Sequence, residues 1–540
     1  MKNWDTLAAW SYHEATKLSY INLNNKPPLY KRYQGLPVVP LPSGNLDPDV
    51  PVLEAVASPL ARPLTPLDLP GLAGLLRLSA GLIRKAQLPV AGEVHYRAAA
   101  SAGALYPVEV YVVCGEIPDL EAGVYHFSPT GFSLVRLRQG DFRGNLAAAL
   151  ADTTAVDCAA SLVLTVNFWR SAWKYRLRGY RYCYWDTGTI LSNLLATASA
   201  QGLRAQVICG FLDGQVNGLL GLDSSKEAAV CIVPLGGGAD VPQNPTGPPG
   251  PLESLAPHAV DDVKDEIDYP EIMEIHRASS FSLKEEVVAW GRTEQAAPPV
   301  LSQEKENLRS IDTTGDSTSG NLTPASGPLG QAILERGSTR RFARRSIPFS
   351  KFSAVLSSAT TPVAADFLPS GQPSLLDTYV IANGVEDLAA GSYFYSPTGE
   401  GLESLTQGTL RHEAGHLCFE QALGADASAV FYFMADLGKV LSRYGDRGYR
   451  AAQLEAGILG GRVYLCAHAL GLGASGMTFY DDDVTEFFSP HAAGKSLMFL
   501  VALGETHENN RVRPFRSRVG ILLDSLARGA GNPTPDVNRL

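Results

Sequence analysis

Two kinds of apolar pattern alternate along the chain. Short runs dense in β-branched and aromatic residues predict buried strands at Val108–Cys114, Ser161–Phe168 and Ala228–Pro234. Three more follow in the second half, at Asp377–Ala382, Ala429–Met434 and Ser496–Leu503. Segments of helical period lie between them. From Thr187 to Gln201 the spacing puts Ile190, Leu191, Leu194, Leu195 and Ala198 on one face, and Gly202 follows as a stop. Ala451 to Leu470 ends in the same way at Gly471. The interleaving predicts an α+β domain whose mixed central sheet is flanked by helices.

The pattern occurs twice. Asp119–Gly131 (DLEAGVYHFSPTG) returns as Asp387–Gly399 (DLAAGSYFYSPTG). Gln139-Gly140 returns as Gln407-Gly408 at the same offset. Arg178–Arg181 (RGYR) returns as Arg447–Arg450, and Gly202–Ala205 (GLRA) as Gly471–Ala474 (GLGA), both displaced by one further position. Four matches in one register describe two diverged copies of one domain. The chain divides into an N-terminal approach (1–51), copy 1 (52–236), a Pro/Gly-rich linker (237–328), copy 2 (329–518) and a tail (519–540). Within the linker, Asp261–Trp290 is charged with regular apolar positions at Ile267, Ile272 and Ile275, so a helix or two is expected on a domain surface.

Composition narrows the class. With 45% apolar and 19% charged residues, the chain has ample core material and is not disordered. No apolar run approaches the ~20 residues that span a bilayer, and Met1–Trp10 lacks a basic region followed by an apolar core. The seven cysteines are scattered without a Cys-x-x-Cys pair, which points to reduced thiols in a cytoplasmic protein. A formal charge of −10 argues against general nucleic-acid binding.

Arg97–Pro107 (RAAASAGALYP), followed by Val110–Val113, resembles a segment of the SagB-type dehydrogenases. These are the thiazoline and oxazoline oxidases of the nitroreductase-like flavoproteins. The resemblance continues through Asn167–Arg176 (NFWRSAWKYR) and Arg178–Arg181, and Tyr12–Lys17 (YHEATK) looks like the family's N-terminal approach. Copy 2 is similar to nitroreductases from Arg336 onward, and Ala100 departs from the family's usual proline. The resemblance implies two such domains paired around FMN, here an intramolecular pseudo-dimer in one chain, with possible further self-association.

It also implies a site. FMN phosphate calls for guanidinium groups, and Arg336, Ser338 and Arg340 (RGSTR) resemble the family's phosphate motif, with Arg511 and Arg513 as its C-terminal basic pair. Aligning Ala61–Pro66 with Ala343–Pro348 sets Glu54, Val56 and Ser58 opposite these residues, so copy 1 lacks the grip. Copy 2 has Asp366 opposite Arg97, and Leu368–Pro373 where copy 1 has the small-residue loop. One complete site per chain follows. The flavin ring is expected against Arg97 and the loop Ser101, Ala102, Gly103, Ala104, Leu105 and Tyr106, with Asn167 and Gly210 as further candidates. Lys174 and Tyr175 resemble the Lys-Tyr pair of azoline oxidases. A lysine acts as base only if burial lowers its pKa, and Arg443 at the equivalent place in copy 2 cannot.

Two motifs are set aside. His412–His416 (HEAGH) fits a zinc-protease pattern, but the equivalent stretch of copy 1, Gly144–Ala148, is a plain connecting helix, and no metal is assigned. Gly471–Gly476 (GLGASG) follows a helix and precedes a strand, which is backwards for a dinucleotide turn. The expected activity is FMN-dependent dehydrogenation of an azoline-like heterocycle in a modified peptide. The alternatives are an NAD(P)H-dependent nitro or quinone reductase, and a non-enzymatic peptide-presenting scaffold.

Overall fold

The computed structural model describes residues 25–510, apart from 44–46, 58–62, 89–91, 152–154, 156, 237–251, 253–254, 256–258, 261–264, 292–307, 311–323, 369–373 and 397–400. The expected family approach at Tyr12–Lys17, most of the Leu368–Pro373 loop, and Arg511 and Arg513 therefore lie outside the described residues.

Each copy builds a seven-stranded sheet. Copy 1 contributes β1 (Val38–Pro40), β2 (Val108–Cys114), β3 (Gly123–Ser128), β4 (Ser133–Gln139), β5 (Ala160–Asn167), β6 (Arg204–Ala205) and β7 (Glu227–Gly236). Their order in space is β1-β4-β3-β2-β5-β7-β6. Copy 2 contributes β8 (Leu308–Ser310), β9 (Asp377–Ala382), β10 (Gly391–Ser396), β11 (Gly401–Gln407), β12 (Ala429–Ala435), β13 (Gly473–Gly476) and β14 (Ser496–Gly504). Their order, β8-β11-β10-β9-β12-β14-β13, is the same path shifted by one repeat. All seven residues of β2 and all ten of β7 are buried, as expected for strands covered on both faces.

Two sequence expectations change here. The ladders are antiparallel rather than mixed, because β2, β3 and β4 are consecutive strands joined by short turns. The edge strands β1 and β8 come from the presumed approach segment and linker; at three residues each they carry no readable period. The inter-copy helices α5 (Pro270–Ala278) and α6 (Lys284–Gly291) lie on the surface, as expected, and each buries one face. Ile272, His276, Val287 and Trp290 are buried, whereas Ile267 is 51% exposed.

The helices that join the copies are α1 (Val52–Ala57), α4 (Gly179–Ala200), α7 (Leu329–Glu335) and α8 (Leu437–Ala469), with α2 (Leu69–Ala80) and α3 (Phe168–Tyr175) packed on α4. Helix α8 starts earlier than its expected Ala451, with Asp436 accepting from Lys439 N. It breaks at Gly445 (φ 59°), the repeat counterpart of Arg176, where the chain breaks between α3 and α4.

Helices α4 and α8 cross at Gly188 and Gly457, which are themselves repeat counterparts. A Cβ at Gly188 would lie 2.5 Å from the Gly457 backbone, so only glycine permits this approach. Contacts on the two sides of the crossing are reciprocal. Arg178 and Arg181 of copy 1 bind Asp481 of copy 2 (2.7 and 2.5 Å), while Arg447 and Arg450 of copy 2 bind Asp213 of copy 1 (2.7 and 3.1 Å). Arg178 lies over Phe479, as Arg447 lies over Phe211. Val52 N donates to Gly327 O, and Leu329 N to Val50 O. Such exchange of equivalent partners is the signature of a two-fold relation. The last pair sets α1 against α7 with Val52 opposite Leu329, a different register from the one read by aligning Ala61 with Ala343. Glu54 therefore matches Gln331, and the position matching Arg336 falls within 58–62.

Among the described residues, no helix is long and apolar enough to cross a membrane.

Candidate active site

Asn167, at the end of β5, accepts from Arg170 N (3.1 Å) and so caps α3. The helix runs for two turns and presents Lys174 and Tyr175 in its last turn. It stops at Arg176, whose φ of 52° and ψ of −137° form a conformation nearly reserved for glycine. This strained residue adjoins the two candidate catalytic side chains.

The loop after Arg97 is held against α4. Ser101 Oγ accepts from Tyr106 N (2.9 Å) and donates to Asp186 Oδ2 (2.5 Å), while Ala102 N donates to Asp186 Oδ1 (3.0 Å). Gly103 (φ 63°), Ala104 (φ 54°) and Tyr106 (φ 48°) all adopt left-handed backbone. A Cβ at Gly103 would stand 2.7 Å from Tyr175 Oη and 2.8 Å from Lys174 Nζ. The loop and the Lys-Tyr pair are thus adjacent, and glycine is the residue that fits between them.

Burial, helped by the positive charges of Lys26 and Arg340, lowers the Lys174 pKa. Burial also pushes the Tyr175 phenol well above its ordinary value, so it remains a donor. Arg340 comes from copy 2, so both copies contribute to this cleft. Its main-chain N–H is held by Asn510 Oδ1 (2.8 Å), its side chain is exposed, and it makes no ion pair among the described residues. Burial and the positive charges of Lys26 and Arg340 act on Lys174 together, surroundings that favour a bound anion. That feature, and the small-residue loop beside them, fit a flat cofactor carrying a phosphate.

The other expected site residues take different places. Arg97 is buried, donating to Leu29 O (3.0 Å) and Val108 O (3.4 Å), while its N–H meets Tyr106 Oη (3.1 Å). Its guanidinium anchors the loop from behind. Leu105 is buried beside it. Arg336 is also committed: Nε and Nη2 donate to Ala98 O of copy 1 (3.1 and 2.7 Å), and the group lies over Tyr464. It ties the copies together, so it is not presented as the free phosphate ligand the motif suggested. Ser338 Oγ sits 3.2 Å from Tyr464 Oη. Asn167 is occupied as a helix cap. Gly210 belongs to the opposite end of the crossing, where its N–H meets Asp366 (2.7 Å) and Trp290 packs on it. His416 has both ring nitrogens on carboxylates, Glu420 (2.6 Å) and Asp483 (2.8 Å).

Sequence reasoning missed Asp186. Burial pushes its carboxyl up to about 7. Glu455, its repeat counterpart on α8, holds Ser374 Oγ (2.6 Å) and Leu375 N (2.9 Å) in the same manner and is likewise pushed to about 7 by burial. An acidic residue repeated inside an apolar helix was the available signal. Also missed was Arg170, which pairs with buried Glu109 (2.5 Å) and reaches Tyr106 O (3.3 Å). Burial alone would raise Glu109, but Arg170 and its neighbours outweigh it and hold the carboxylate well below its usual range.

Two equivalent α+β copies meet at this site, where Lys174, Tyr175 and Gly103 of copy 1 lie near Arg340 of copy 2. Residues 77–237 and 333–504 each match the nitroreductase family, and the chain belongs to it. MJ1384 of Methanocaldococcus jannaschii, named as a nitroreductase, is 30% identical over 148 residues, covering 27% of this chain and 73% of its own. The microcin B17-processing protein McbC of Escherichia coli is 29% identical over 139 residues, 24% of this chain; the match spans about half of McbC, 51%. A crystal structure from Anabaena variabilis, also named as a nitroreductase, superposes with a TM-score of 0.68 at 27% identity, covering 92% of this chain and 99% of that one.

Proposed function

We propose that the chain is an FMN-dependent dehydrogenase of the SagB type, oxidising an azoline-like ring in a modified peptide. The observation that carries this is the meeting of Lys174 and Tyr175 with the Gly103 loop of copy 1 and Arg340 of copy 2. In this reading the copies are the two halves of a dimer joined in one chain. Arg340 and Ser338 would hold the FMN phosphate, and the Ser101–Tyr106 loop would line the ring. Bound FMN supplies the two-electron acceptor that dehydrogenation requires.

Lys174 Nζ takes the proton from substrate carbon. Its lowered pKa enlarges the neutral fraction at a given pH, which is the form that can accept a proton. Tyr175, kept protonated by burial, donates a hydrogen bond from Oη at the same place. Asp186 and Arg97 hold the loop in place. The similarity to a peptide-processing protein favours a peptide substrate over a free nitroaromatic.

The test is Lys174→Ala with bound flavin measured separately. Flavin content should be retained while reduction by an azoline peptide falls roughly 10²–10⁴-fold, the usual range for a lost general base. Rapid reduction by NADPH with no response to azoline peptides would establish the reductase alternative instead. Parallel loss of flavin and rate would make Lys174 structural.

A further inference from the structure

The two ends of the α4–α8 crossing carry equivalent residues, but they are not equally open. At the end described above, Arg178 and Asp481 are 29% and 35% exposed. At the other, Arg447 and Asp213 are 1% and 6% exposed, because the segment holding α5 and α6 covers them. Ser279 O accepts from Arg447, and Phe281 N donates to Asp213.

What fills that second end is an indole. Tyr444 is the counterpart of Tyr175, and the Trp290 ring lies against it at 5.1 Å and 56°. Phe281 meets Trp290 at 5.7 Å and 65°. Trp290 Nε1 donates to Asp366 Oδ2 (2.9 Å), and the same carboxylate accepts from Cys209 N (2.9 Å) and Gly210 N (2.7 Å). A side chain at Gly210 would collide with the indole edge. The chain also closes over this end: Val207 N donates to Ala364 O (2.8 Å), and Asp366 N to Val207 O (3.0 Å).

We propose that the second cleft is an aromatic-ring site which the chain keeps filled with its own Trp290. It has the parts such a site needs: flanking aromatic rings, a glycine giving close approach, and a buried acceptor for a ring N–H. Asp366 would repel a phosphate, so the matching ligand class is a neutral, flat N-heteroaromatic bearing an N–H donor. The proposal rests on the reading that the open end holds a flavin ring. It adds that occupation by Trp290 limits each chain to one flavin.

The experiment uses the full chain with Trp290→Gly, titrated with indole, N-methylindole and lumichrome. Wild type should hold one FMN and take up none of these. W290G should keep its FMN and bind one equivalent of indole or lumichrome, with a raised thermal midpoint. N-methylindole, which cannot donate to Asp366, should bind about ten- to a hundred-fold more weakly, the effect of losing a hydrogen bond to a charged group. If W290G folds only when indole or lumichrome is supplied, that dependence supports the proposal. Folded W290G that takes up neither ring overturns it, as does equal affinity for indole and N-methylindole, or a variant that neither ring rescues. Wild-type protein without any flavin would defeat the flavin reading, while the ring titration would still decide this one.

Discussion

Asp213 and Asp481 occupy equivalent positions in the two copies, and each binds two arginines of the other copy. Truncating each to alanine therefore poses one chemical question in two environments. Around Asp213, Arg447, Arg450 and the carboxylate are all 6% exposed or less. Removing it leaves two guanidinium groups without their counter-ion in a dry site, a change that costs about 3–5 kcal/mol. Around Asp481, the three groups are 16–35% exposed, water replaces the lost partner, and the cost is about 0–1 kcal/mol. For a cooperative unit of domain size, ~1 kcal/mol moves the melting temperature by about 2–4 °C. Asp213→Ala should thus melt about 6–20 °C below wild type, and Asp481→Ala no more than about 4 °C below. The assay is scanning calorimetry of the full chain at neutral pH, with each variant serving as the control for the other. Equal shifts would show that the coverage of one end by α5 and α6 has no energetic weight. Burial would raise the Asp213 pKa, but Arg447 and Arg450 outweigh it and the value lies below the ordinary one. Its contribution is therefore present above the unfolded carboxylate pKa and lost as pH falls through the folded one.

Asp186 has the opposite sign: raised by burial from 3.8 to about 7, it makes the folded state lose stability as pH rises through that interval, by up to about 4 kcal/mol. Asp186→Asn should flatten the pH dependence of the melting temperature between pH 4 and 7 (about the interval of the shift), and an unchanged slope would refute the assignment. Arg176→Gly should relieve about 1–3 kcal/mol of backbone strain, less ~0.5–1 kcal/mol of glycine entropy, and so raise the melting temperature; a lowered one would place the strain elsewhere. Arg340→Ala should weaken FMN binding about ten- to a hundred-fold, seen as a lower flavin-to-protein ratio after release. Full occupancy would move the phosphate to another residue. Lys26→Met removes a positive charge that lowers the Lys174 pKa, so the rising limb of the pH–rate profile should shift to higher pH; no shift would separate Lys174 from the proton step.

The sequence by itself determined the repeat and the central strands, because period and internal register are local properties, whereas Lys174-Tyr175 and Ser101–Tyr106 stood out only through a resemblance, and the fold sets them side by side. Val108–Cys114 and Asp377–Ala382 are strands with the bounds their patterns predict. Only the tertiary structure decided what each arginine does. A guanidinium reads the same in sequence whether it faces solvent, as Arg340 does, or binds the Ala98 carbonyl of the other copy, as Arg336 does. The same limit hid Asp186, whose meaning comes from the loop it holds. It also hid Trp290, which reads as the end of a linker helix and lies buried between the copies. Burial and partnership between segments far apart in the chain depend on where the chain returns, and no local pattern records that.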